Sequence, residues 1–143
     1  MLEKIRRTMD NKALGIIRIF IGLLILMTGV MKFLFPTLRN AWSGQLTGAN
    51  IPFYTFNFWV VPIVEIVIGS LLVLGLFSRV GGLVVMGIMT VATYVHLTVN
   101  DPTLFPLQPK EPIIPLIVFV LSAYVLWRGG GAWSLDLKSS SPQ

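Results

Sequence analysis

Among its 143 residues the chain has no cysteine and a single histidine, His96. Without a thiol it cannot itself carry out thiol–disulfide exchange or hold a thiolate metal site, and its redox compartment is left open. One histidine with no second histidine or cysteine is a poor metal site, so no metal is expected. Charge is scarce as well: charged residues make up 12% of the chain, about half the usual share for a soluble domain. A flavin or nicotinamide fingerprint is missing, as is a pair of haem-ligating side chains on opposing segments. The eleven Lys and Arg give a net charge of +5 but are scattered singly at the ends of apolar runs. With no basic stripe and no exposed aromatic platform, nucleic acid is not an expected partner.

What the chain does have is apolar length. Hydrophobic residues reach 55% and the mean hydropathy is +0.80, more than a single soluble core could bury. The expected class is all-α: a polytopic membrane protein built as a four transmembrane helix bundle, with the lipid bilayer as its first partner. Four segments approach the ~20 residues needed to cross a ~30 Å hydrocarbon core. They span about 13–35, 56–77, 80–99 and 113–127, within a single domain over 1–138 and before a disordered tail at 139–143. The fourth is short, and Pro112 and Pro115 suit its first turn. Only Ser78-Arg79 separates the second and third spans, which predicts an antiparallel hairpin.

Positive charge sets the orientation. Lys4, Arg6, Arg7, Lys12, Arg79, Arg128 and Lys138 share one side, against Arg39 and Lys110 on the other. Both termini are therefore expected in the cytoplasm, with the chain multi-pass in the cell inner (plasma) membrane. The first span is longer than a signal-peptide core, contains Arg18 and lacks a small-x-small cleavage site, so it reads as a retained anchor. Residues 36–55 carry Trp42, Phe53 and Tyr54 and are expected in the interface as an aromatic belt or a short re-entrant segment. The stretch from Pro102 to Pro115 holds five of the nine prolines and is expected to be extended.

The informative residues are the charges inside the apolar runs. A charged side chain at mid-membrane costs at least ~2.5–3.5 kcal/mol, so it normally faces a partner or a wet cavity. Arg18 and Lys32 are fourteen residues apart, about four turns, and share a helix face with Gly22 and Gly29. Glu65 has Gly69 one turn away; Gly82, Met89 and His96 share a face of the third span. Small residues beside the charges mark the packed faces. Counted from the outer boundary, Lys32, Glu65 and His96 lie at levels a lysine stem can bridge, forming a candidate polar cluster or ligand-binding site. No residue is assigned a catalytic role. The competing reading makes Lys32–Glu65 a structural ion pair that fixes register and His96 a satisfied interfacial histidine. Arg18 lies towards the opposite boundary, where it snorkels, meets a helix C-terminal carbonyl, or meets Asp136 if the tail folds back. Arg79 reads as a topology residue. Tyr94 and Tyr124 are weak candidates for bonding a quinone head group.

The ordered set Arg18-Ile-Phe-Ile-Gly22, Gly29-Val-Met-Lys32-Phe, Glu65 with Gly69, Leu74-Gly75-Leu-Phe-Ser-Arg79, His96 and Arg128-Gly-Gly-Gly-Ala-Trp-Ser-Leu-Asp136 resembles the DoxX family of small four-helix membrane proteins. Ile51-Pro52 before the second span fits the same pattern, and the likeness covers almost the whole chain. Each motif alone is weak; their order carries the resemblance. It implies Arg18, Lys32, Glu65, Arg79 and His96 as characteristic positions. It also implies a link to quinone-dependent oxidoreductases such as thiosulfate:quinone oxidoreductase, to membrane complexes serving thiol and oxidative-stress homeostasis, or to chaperone and cargo-receptor roles. The expected function is thus an accessory or anchoring subunit of a quinone-linked membrane oxidoreductase complex, not catalytic alone. It would have no intrinsic cofactor, with quinone as the one small molecule implied. The alternative is a non-enzymatic membrane scaffold, assembly factor or cargo-binding protein. Either role needs other membrane protein subunits or a homo-oligomer. A solute carrier fits less well, since broken helices and inverted repeats are not evident.

Overall fold

The computed structural model of the protein describes residues 5–99, 109 and 111–140. Within them the chain forms α1 (Lys12–Leu34), α2 (Pro36–Gly48), α3 (Tyr54–Leu74), α4 (Ser78–Thr98), α5 (Ile113–Arg128) and α6 (Leu135–Ser140), with no strand. Helices α1, α3 and α4 are long and apolar enough to cross a membrane. Helix α5 is equally apolar but has 16 residues, about 24 Å of rise.

The bundle is turned out as a bilayer requires. On α1, Ile16, Phe20, Leu23 and Met27 are exposed at helical spacing, whereas Arg18 on the opposite face is wholly buried. Charge inside and Leu, Ile and Phe outside is the reverse of a water-soluble bundle. Lipid tails are as apolar as leucine, so helix association has to come from close packing and internal hydrogen bonds.

That packing divides the helices into two intimate pairs, α1 with α3 and α4 with α5, and the pairs meet through a smaller contact. Close backbone approach explains the pairing. A Cβ added to Gly69 would sit 2.5 Å from the Leu26 amide nitrogen, and one added to Gly29 would sit 2.8 Å from the Pro62 carbonyl. In the second pair, a Cβ at Gly82 would meet the Ser122 carbonyl at 2.8 Å. Leu14, Ile21, Ile25, Ile68, Leu72, Val85, Val118 and Val125 fill the common core. The glycine–charge faces expected from spacing are therefore the packed ones.

Several boundaries differ from the sequence expectation. The turn between the second and third spans is Gly75-Leu76-Phe77, not Ser78-Arg79, and α4 already starts at Ser78. Gly75 adopts φ +70, its amide bonds Leu72 and the Leu76 amide bonds Leu71, which closes α3 in a Schellman-type cap. The two helices joined by this turn pack on each other less than each does on its main partner. Residues 36–48, expected as an aromatic belt or re-entrant piece, form the 13-residue helix α2, started by Pro36 in its first turn. Ser139 and Ser140, placed in a disordered tail, belong to α6. Lys4, Lys110 and most of the proline-rich stretch lie outside the described residues, as do residues 141–143.

The N-terminal segment, the α3–α4 turn and the C-terminal segment meet at one end. Arg6 bonds the Leu135 carbonyl and Arg79 bonds the Arg7 carbonyl, so most of the basic residues counted for topology gather there. Helix α2 lies at the opposite end.

Candidate functional site

At the α2 end, Lys32 Nζ donates to both Glu65 carboxylate oxygens at 2.7 Å. Depth counted from the outer boundary predicts that these two can meet. Gly29, one turn before Lys32, lets α3 come close enough for the Glu65 Cβ to lie where a Gly29 side chain would be. The carboxylate is 5% exposed and the lysine side chain 17%, so the pair is nearly sealed. Its roof comes from α2. The Lys32 ammonium lies 4.4 Å from the centre of the Trp42 ring, in cation–π contact.

Pro62 explains why Trp42 is held there. Proline has no amide hydrogen, so within α3 the Phe58 carbonyl loses its donor four residues on. Trp42 Nε1 donates to that carbonyl at 3.3 Å. The helix-interior proline thus creates the acceptor that docks α2, and docking α2 places the indole over the ion pair. A narrow cleft runs beside it, lined by Phe33, Arg39, Phe58 and Trp59, too tight to hold a water-sized molecule.

Depth alone groups three residues; the structure bonds two of them. His96 is half-buried on α4, with Nδ1 2.9 Å from the Ala92 carbonyl of its own helix. Its helix packs mainly on α5, and at this end Val95 and Val99 pack on Ala49. Tyr94 reaches the Ala49 carbonyl at 3.4 Å, and Tyr124 packs against the core.

The other end holds a second buried polar group, larger than the sequence suggests. Arg18 Nε donates to the Gly130 carbonyl at 2.6 Å, Nη2 to Ala132 at 3.2 Å, and Nη1 to both Leu72 and Val73. Of the three options open for Arg18, the helix C-terminal carbonyl is the one realised: a cation at the negative end of α3. Asp136 does the converse for α4. Its carboxylate accepts from the Phe77 and Ser78 amides at 3.0 and 2.9 Å, from Ser78 Oγ at 3.0 Å, and from Arg6 Nε at 3.1 Å. Helix α4 has no capping side chain of its own, and Asp136 supplies the cap from 58 residues away. Arg79, expected as a topology residue, also donates to the Leu126 carbonyl at 2.9 Å and so ties α4 to the end of α5.

The Asp136–Ser78 contact was missed as a site. The available signal was the run Arg128-Gly-Gly-Gly-Ala-Trp-Ser-Leu-Asp136, whose Gly131 lets the segment after α5 lie on the start of α1. The Ala132 amide bonds the Asn11 carbonyl at 3.0 Å, and the Gly131 amide bonds Thr8 Oγ1 at 2.7 Å.

An apolar exterior around an interior of paired and capped charges defines an integral membrane helical bundle. The family model described as DoxX matches residues 13–98, more than half of the chain. The chain is also 31% identical over 134 residues to the uncharacterized membrane protein Rv3486 of Mycobacterium tuberculosis, across 87% of this chain and 79% of that relative. The protein belongs to the DoxX family. No solved structure matches it.

Proposed function

We propose that the protein is an accessory, anchoring subunit of a quinone-linked membrane oxidoreductase complex, with the electron chemistry supplied by partner subunits. The observation that carries this reading is the Lys32–Glu65 pair at the base of an aromatic cleft near one end of the bundle. A membrane-buried carboxylate beside an ammonium is suited to exchanging protons with a quinone head group at the cleft mouth. Trp42, Phe58 and Trp59 offer the flat apolar faces such a ring would lie against. Entry requires Trp42 to swing off the lysine. The basic residues gathered at the opposite end support a reading in which that end faces the cytoplasm at a plasma membrane.

Purified in native lipid, the wild type is expected to retain quinone, and Glu65→Gln to retain severalfold less while keeping its helical circular dichroism. Absence of quinone from the wild type, or equal retention by the variant, sinks the quinone link.

The tightness of the cleft favours a second reading, a non-enzymatic scaffold or cargo-binding module. Under it, mild-detergent purification recovers a stoichiometric membrane partner that is lost on substituting Trp42 and Tyr54. Recovery of the chain alone speaks against that reading.

A further inference from the structure

We propose that the α2 end of the bundle binds the phosphate group of an anionic phospholipid, held by Arg39 together with the hydroxyls of Ser43 and Tyr54. Arg39 sits on α2 with its guanidinium carbon 5.1 Å from the Trp59 ring centre and 5.9 Å from that of Phe58. These are cation–π contacts and use none of the guanidinium's N–H donors. Its five N–H donors lie in the plane of the group, and among the described residues none of them donates to the protein. Unlike Arg18 and Arg79, each of which bonds two or more carbonyls, Arg39 is positioned by aromatic rings but left chemically unspent.

Among the described residues no carboxylate is bonded to it. From Phe33 to Val64, which covers α2, the connection to α3 and the first half of α3, the sequence has no Asp or Glu. The nearby Glu65 is bound bidentately by Lys32, so that pair adds no net charge. Ser43 lies one helical turn beyond Arg39 on the same face of α2. Its Oγ is hydrogen-bonded to the Tyr54 hydroxyl at 2.7 Å, so one O–H of the two is used within the pair and the other is left to donate, and the Tyr54 ring stacks on Phe58 at 5.7 Å. A planar fork with one free O–H of a hydroxyl pair on the same helix face matches a tetrahedral oxyanion.

The surroundings point to a lipid as the source of that oxyanion. Phe35, Phe53, Phe56 and Trp59 are exposed around this end, with Ile63 exposed one turn further along α3. Aromatic residues of this kind mark the headgroup level, and the apolar stripe below them takes acyl chains. A free phosphate ion would leave this rim uncovered, whereas a phospholipid covers rim and cation together.

The test uses the full chain reconstituted in equal amounts of phosphatidylglycerol and phosphatidylcholine, extracted in mild detergent, with retained lipid measured by native mass spectrometry. About fivefold enrichment of phosphatidylglycerol is expected, the effect of one basic residue at ~1 kcal/mol. Arg39→Gln should return the ratio to that of the bulk lipid. Tyr54→Phe keeps the ring on Phe58, and should lower the enrichment without moving the melting temperature, so the proposal stays testable even where the arginine variant folds poorly. A bulk ratio in the wild type overturns the proposal, as does enrichment that survives both substitutions. A bulk ratio in the wild type together with saturable binding of inorganic phosphate that Arg39→Gln removes assigns the site to a free anion and overturns the lipid assignment.

Discussion

Lys32→Met alone should destabilise the bundle by about 3–5 kcal/mol, the cost of leaving one partner of a buried ion pair unmatched. Lys32→Met combined with Glu65→Leu should stand close to the wild type, because two apolar side chains need no solvation at this depth. Glu65→Leu alone should fall between them. The Lys32 side chain is partly exposed near the end of α1, and its stem can carry the ammonium out towards water once the carboxylate is gone. Reversible unfolding of the three variants in mixed micelles gives the coupling energy directly. Additive losses would show that the two residues do not act as a unit. The cycle also bears on function: a double variant that is stable but no longer retains quinone separates a chemical role for the pair from a purely structural one.

The second large effect is expected at Arg18. Arg18→Met deprives the buried carbonyls of Val73, Gly130 and Ala132 of a donor and leaves Leu72 with the Gly75 amide alone. An orphaned buried carbonyl costs about 1–3 kcal/mol, and even with partial relaxation the total should match or exceed the loss at Lys32. Arg18→Lys should recover only part of it, since one ammonium cannot reach α3 and the Gly130–Ala132 segment at once as the guanidinium fork does. The loss should have a place as well as a size. With its anchor gone, the segment after Arg128 should peel away and take the Asp136 cap off α4, so that protease cleaves between residues 129 and 140 well below the global melting temperature. Full recovery by lysine, or a tail as protected as in the wild type, would contradict this account.

Particular residues show how far the sequence could be read. The packed face of α1 was legible because Arg18, Gly22, Gly29 and Lys32 recur at helical spacing, and charge beside glycine in an apolar run has few places to go. The partnership of Lys32 with Glu65 followed from depth, which hydropathy boundaries fix to within a turn or two. His96 satisfied the same depth criterion, but depth says nothing about which helices are neighbours. Its helix pairs with α5, a choice made by the fit of Gly82 against the Ser122 backbone. Helix α2 was hidden for another reason. Only four of its thirteen residues are apolar, which gives no span signal, and it is held by Trp42 bonding a carbonyl that Pro62 frees.

The sequence by itself determined that this is a helical membrane protein, where its apolar runs lie, and which faces carry charge inward. Those properties depend on composition and on the 3.6-residue period, both local to the chain. Only the tertiary structure decided that Lys32 and Glu65 are a nearly sealed pair under Trp42, that Arg18 ties the end of α3 to the segment after α5, and that Asp136 caps α4 from far along the chain. Each of these bonds joins residues sixteen or more positions apart. Such partners are chosen by how closely the backbones approach once the helices have packed, and no periodicity along the chain encodes that distance.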